Sequence, residues 1–183
     1  MPLPPIDLRT FRQPLHTFLR DSIERFSQEH PEVIVSTVAV YGFFEQTGSG
    51  AISFDTQAHS DQRIAENLRN GFNWYGEDEG GRFSRSPADF AFPIFEEFVL
   101  EYYPDLLEQP DEEPLVFIDH LGRTQDSNWE EKGDEGINHA VFPTLCEFVH
   151  EFEEWDAVHR DGRLRIGVVM HDSKCRTFWR YPV

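Results

Sequence analysis

The chain has 183 residues, 39% of them hydrophobic and 17 of them Phe, enough to bury an aromatic-rich core without disulfide or metal staples and too apolar for intrinsic disorder. Its formal net charge is −18, from 34 acids against 16 bases. A field of that sign repels nucleic-acid phosphates and anionic lipid surfaces and favours basic partners.

Residues 1–10 are proline-rich and predict an extended N-terminal arm. Residues 11–29 then predict a helix, because Leu15, Phe18, Leu19, Ile23 and Phe26 follow the spacing of one buried face. Thr10 with Gln13 resembles a capping box, Pro14 falls in the first turn where proline is tolerated, and Pro31 stops the helix. Residues 33–44, rich in β-branched and aromatic side chains, predict a central strand. A turn over 46–50 and a second strand over 51–55 complete a hairpin. Ser60 is placed to cap a short helix over 61–70, which Gly71 ends. Residues 72–85 carry Gly76, Gly80 and Gly81 and predict a loop, entered by Phe72, Trp74 and Tyr75 packing onto the sheet.

Pro87 in Ser86-Pro87-Ala88-Asp89 predicts a helix start, kinked or restarted at Pro93. Ile94, Phe95, Phe98, Val99 and Tyr102 are its apolar face and Pro104 its end. Residues 109–114 form an acidic, proline-flanked linker, 115–119 a short strand and 120–138 a polar loop. A helix over 139–159 follows, with Val141, Phe142, Leu145, Phe148, Val149, Phe152 and Trp155 as its buried stripe. Residues 165–172 predict an interior strand, and the tail carries Phe178, Trp179 and Tyr181. The longest apolar runs, such as 38–44, are far short of the ~20 residues that cross a bilayer. The opening Met1-Pro2-Leu3-Pro4-Pro5-Ile6-Asp7 lacks the charged and apolar regions of a secretory leader, so a cytoplasmic location is expected. The element order α-β-β-α-α-β-α-β predicts an α+β fold, a mixed sheet of four to five strands covered by helices, in one domain spanning 1–183.

The charge is unevenly placed. From Glu96 to Asp156 there are 19 acids against Arg123 and Lys132, a local net of −17, whereas the remaining chain holds 15 acids and 14 bases. Such a segment either steers a basic protein partner or keeps the chain soluble. Trp74, Tyr75 and Trp129 fall in predicted loops beside acids and suit an aromatic-anchored binding face; the alternative is that they cover the core edge. Glu147, His150, Glu151 and Glu154 share one face of a predicted helix, and Glu147, Glu151 and Glu154 are candidate binding residues for a basic partner. A Glu-x-x-His on that face suits iron, manganese or zinc, but a di-iron bundle needs the motif twice, and a solvated acidic face is the plainer account. Asp119-His120 and His171-Asp172 end two predicted strands; if the strands are neighbours, these side chains converge at one sheet edge as a metal site or an Asp–His base.

Cys146 and Cys175 form no Cys-x-x-Cys pair, which argues against a disulfide framework or a thiolate zinc site. Cys146 sits in an apolar pattern and reads as a small buried hydrophobe; Cys175, near two arginines, would have a lowered pKa if exposed. There is no Gly-x-Ser-x-Gly elbow, Walker sequence, Gly-x-Gly-x-x-Gly after a strand, or His-Glu-x-x-His signature, which lowers the weight of common hydrolases and nucleotide-dependent enzymes. No cofactor is expected.

Val38-Ala39-Val40-Tyr41 after an N-terminal helix, then Asn73-Trp74-Tyr75, then Val168-Val169-Met170-His171-Asp172-Ser173 make a layout that resembles an uncharacterised bacterial family of similar length, a domain of unknown function. The loop after His120 has no counterpart in that pattern. In size and acidity the chain is also similar to bacterial immunity proteins, which bind and neutralise toxin domains; this is analogy and transfers no residue role. The expectation is a non-catalytic interaction protein that binds a basic partner, with a metal-dependent enzyme or metal-binding protein using His120 or His171 with Asp119 or Asp172 as the alternative. Oligomeric state is left open.

Overall fold

A computed structural model of the chain describes residues 4–43, 48–99, 115–126, 136–171 and 173–181. The strands are β1 (Ile6–Asp7), β2 (Val35–Phe43), β3 (Ser49–Asp55), β4 (Tyr75–Asp78), β5 (Gly81–Ser84), β6 (Phe92–Val99), β7 (Val116–Ile118), β8 (Thr124–Asp126), β9 (Arg160–Met170) and β10 (Arg176–Tyr181). The helices among the described residues are α1 (Arg12–Glu29), α2 (Gln57–Arg69) and α3 (Gly136–Glu151), with 3-10 turns at Leu8–Phe11, Pro87–Asp89 and Glu154–Ala157. Five strands form one sheet in the order β10-β9-β2-β3-β6, with β2 and β9 parallel and every other pair antiparallel. A three-stranded sheet, β1-β7-β8, and the β4–β5 hairpin stand apart from it. The fold is therefore α+β with a mixed five-stranded sheet, as the alternation of helical and strand periods implies.

Side chains alternate across the large sheet, so each strand contributes to two faces. Val38, Val40, Ile52, Phe54, Leu164, Ile166 and Val168 point to one face and join α1 and α3 in the main core. There Phe26 of α1 stacks on Phe54 of β3 at 4.0 Å between ring centroids, and His16 of α1 donates to the Phe148 carbonyl of α3 at 2.7 Å. Thr37, Ala39, Ser53, Asp55, Arg165 and Gly167 form the opposite face. It carries α2 and the β4–β5 hairpin, and Phe178 of β10 lies across Gly167, where a Cβ would strike its ring.

Several elements differ from the sequence reading, each for a physical reason. Residues 4–10 are not a loose arm: Ile6 and Asp7 pair in parallel with Phe117 and Ile118 of β7, and Ile6 and Leu8 are buried. Asp7, not Thr10, caps the first turn by accepting from the Arg9 amide at 3.1 Å. Helix α2 starts at Gln57 with Thr56 as its cap, and Ser60 lies inside it with its hydroxyl turned toward Asp55. Residues 75–84 are a hairpin rather than a loop. The predicted helix over 139–159 ends at Glu151, after which Trp155 is buried on a 3-10 turn.

The largest difference is β6, a strand where a helix is predicted. Between the Ile52–Glu96 and Phe54–Phe92 pairings, one residue of β3, Ser53, faces three of β6, and within this bulge Ile94 has φ 46° and donates its amide to Ser53 Oγ at 3.1 Å. The bulge breaks strict alternation. Phe92 and Phe95, three apart, consequently both reach Phe26, and Phe98 packs on Phe18. Apolar residues spaced by three read as one helical turn, although the backbone here is extended. The expected linker at 109–114 lies outside the described residues. No helix among the described residues is long and apolar enough to cross a membrane.

Candidate functional site

The aromatic residues singled out from the sequence sit on a stiff corner between α2 and β4. The helix ends in a Schellman motif: the Gly71 amide donates to the Leu68 carbonyl at 3.1 Å and the Phe72 amide to the Asn67 carbonyl at 2.8 Å, with Gly71 at φ 81°. Phe72 is thereby held beside Trp74, with ring centroids 5.2 Å apart. Neither packs onto the sheet as expected: Phe72 is 47% exposed and Trp74 69%. Phe83 of β5 takes the interior position instead, against Phe178 at 5.1 Å. Tyr75 is half-buried under the Arg82 guanidinium, 4.8 Å from its ring centre. Glu77 and Glu79 on the same hairpin are exposed. Trp129 lies outside the described residues.

The acidic stripe is shorter than its spacing suggests. Glu147 and Glu151 lie on α3, but Glu154 lies on the following 3-10 turn, beyond the helix. Glu147 is exposed. Glu151 pairs with Arg12 at 2.7 Å, and Glu154 takes a bidentate fork from Arg20 with both contacts at 2.6 Å. Two of the three proposed binding carboxylates are thus paired with arginines of α1, and His150 stands edge-on to Trp179. Of the 19 acids between Glu96 and Asp156, ten lie outside the described residues.

The strand-end pairs do not meet at one sheet edge. Asp119 follows β7, in the three-stranded sheet, while His171 follows β9, in the five-stranded one, so the strands are not neighbours. Asp119 is buried and closes the β7–β8 turn, accepting from the Leu121 amide at 2.9 Å, the Arg123 amide at 2.8 Å and Arg123 Nε at 2.8 Å. Burial pushes its carboxyl up, but these bonds outweigh burial and bring its pKa down to about 2. The His120 ring lies 3.3 Å from Thr144 Oγ1 of α3, and His171 Nδ1 lies 2.5 Å from the Tyr41 hydroxyl. Asp172 is outside the described residues. Among those described, no three His, Cys, Asp or Glu side chains cluster as metal ligands.

Two carboxylates that the sequence reading passed over organise the other face of the large sheet. Asp55, fully buried at the end of β3, accepts from Ser60 Oγ at 2.5 Å and from the Ala91 amide at 3.0 Å, and its Oδ1 lies 2.8 Å from His59 Nδ1. Aspartate, histidine and serine are thus together, but without triad geometry: the serine binds the carboxylate rather than the imidazole, and it is wholly buried. Asp78, on the hairpin, accepts from Arg165 at 2.8 and 3.1 Å and from Arg180 at 3.1 and 2.5 Å. Burial raises its pKa, but the two guanidiniums and the Gly80 amide outweigh burial and hold it far below the usual carboxylate range. Nothing in the local sequence marks this cluster, since Asp78 is 87 residues from Arg165 and 102 from Arg180.

Cys175 Sγ lies 3.5 Å from His139 Nδ1. Cys175 is buried, and Cys146 is held up to about 12 by burial first and by the nearby Cys175 and Glu147 second. No family model matches the chain, and no curated protein or solved structure matches it either.

Proposed function

We propose that this chain is a non-catalytic protein-interaction module that binds a basic protein partner through the Phe72–Trp74 corner. The observation that carries the reading is Trp74, 69% exposed on a backbone held by the α2 Schellman motif. A large aromatic kept in water at a rigid corner contributes nothing to the core, whereas in an interface it buries area with little loss of conformational freedom. The net charge of −18 and the exposed Glu77 and Glu79 on the adjoining hairpin support a basic partner by complementarity. An immunity-type inhibitor of a basic toxin domain is the finer form of this proposal and rests on analogy of size and charge. The metal-site alternative has less support, because the carboxylate of Asp119 is already engaged by its own turn.

The test uses the tagged chain as bait for cellular protein, washed at low and at moderate salt, beside a Trp74→Ala bait. The expected result is a basic protein retained at low salt by the parent chain, released at moderate salt, and not retained by the variant. Trp74→Ala should leave stability within about 0.5 kcal/mol of the parent, as surface substitutions do. Retention that depends neither on salt nor on Trp74 would overturn the proposal.

A further inference from the structure

A cleft of about 460 Å³ opens between the start of β2, the first residue of α2, the β4–β5 turn and the β9–β10 end of the sheet. In a chain of net charge −18, the charged side chains lining it among the described residues are three arginines, Arg163, Arg165 and Arg180, and one acid, Asp161. We propose that this cleft binds a small molecule through a phosphate group. The inference is independent of the interaction reading and uses different residues.

The arginines are built into the fold in different ways. Arg165 is only 3% exposed and fully committed: Nε and one terminal nitrogen go to Asp78, and the other donates to Gln57 Oε1 at 3.2 Å. It is a fixed buried cation at the cleft floor. Arg180 turns Nε and one terminal nitrogen to the same carboxylate. Two guanidiniums therefore share one negative charge, and the cluster keeps a net positive charge. The second terminal nitrogen of Arg180 has no hydrogen-bond partner among the described residues, and neither does the whole fork of Arg163.

Two backbone features make room for this arrangement. Val35 and Thr37 of β2 pair with Arg160 and Arg165 of β9, so one intervening residue on β2 faces four on β9. Gly162, at φ 80°, lies in this bulge, which carries Asp161 and Arg163 to the cleft. At Gly80 a Cβ would overlap the Arg180 guanidinium where it stands, so any side chain there would push that cation from its place. Gln57 brings the N-terminal end of α2 to the same lining, and its partial positive charge adds to the arginines.

Holding the hairpin to the sheet requires only Arg165, Arg180 and Asp78; it gives no role to Arg163 or to the bulge. The donors left over come from two separate segments, the β9 bulge and β10. A planar carboxylate is satisfied by one guanidinium fork, whereas a phosphate presents three oxygens and can accept from both. The cleft is larger than a bare oxyanion needs, and the exposed side chain of Ile34 offers apolar surface for an organic body.

The test is titration of the whole chain near neutral pH, at constant ionic strength, with inorganic phosphate, with a simple phosphate monoester and with acetate, followed by backbone amide resonances. Phosphate and the monoester should shift the Gly80, Gly162 and Arg163 amides saturably, and the monoester should bind more tightly. Arg163→Gln, at a position with no ion pair or hydrogen bond among the described residues, should weaken both by about tenfold at an unchanged melting temperature. Arg163→Lys should fall between. The proposal is overturned by phosphate that produces no saturable shift, by acetate that binds as well as phosphate, or by Arg163→Gln that binds both probes like the parent.

Discussion

The two faces of the five-stranded sheet are held by opposite means. Toward α1 and α3, contact is almost wholly apolar, with Phe26 on Phe54 at its centre. Toward α2 and the β4–β5 hairpin, much of the contact is polar, organised by Asp55 and by Asp78 with its two arginines. Burying apolar area is favourable wherever shapes fit. Burying a guanidinium is favourable only while its carboxylate stays in place. The first face should tolerate changes of pH and fail when volume is lost. The second should tolerate changes of shape and fail when charge is lost.

The largest effect is expected on the apolar face. Phe54→Ala removes a fully buried ring from the centre of the core and should cost about 4 kcal/mol, read as a lowered urea midpoint with an unchanged slope. A cost under about 1 kcal/mol would show that this face is not the main source of stability.

Asp78→Ala should cost somewhat less, about 3 kcal/mol, because it strands Arg165 in the interior. The comparison sharpens with a double variant, Asp78→Leu with Arg165→Met, which removes both charges while keeping volume. That protein should be more stable than Asp78→Ala alone, measured by the same urea unfolding. If the double variant is as damaged as the single one, stranded charge is not what the single change introduces.

Acid should act more gradually, at Asp78 on the polar face and at Asp119 in the separate three-stranded sheet. Asp78 and Asp119 both have folded pKa values below the ordinary carboxylate value, the latter at about 2. A depressed folded pKa adds stability that is present above the unfolded value, near 3.9, and is lost as pH falls through the folded value. Urea midpoints should therefore drop as pH is lowered from about 4 toward 2, with a shallower slope in Asp78→Ala than in the parent. Equal slopes would remove Asp78 from the account.

How much of this was legible in the chain depended on whether the signal was local. The buried stripes of α1 and α3 and the double-sided apolar run of β2 were readable because each is a period within one element. Ile94, Phe95, Phe98 and Val99 read as a helical face because a bulge sets Phe95 and Phe98 on one side of a strand at the spacing of a helix, while Ile94 and Val99 are exposed. Trp74 was visible as an aromatic among polar residues, but whether it covered the core or faced water depended on Phe83 occupying the interior position.

The sequence by itself determined the α+β class, the main core-facing stripes and the sign of the electrostatic field, because periodicity and charge are carried by the residues themselves. Only the tertiary structure decided that β7 leaves the main sheet, which separates Asp119 from His171. It alone brought Asp78, Arg165 and Arg180 together over gaps of 87 and 102 residues. Strand partners are chosen by how whole elements pack, and a charge far along the chain gives no local sign of the opposite charge it will meet.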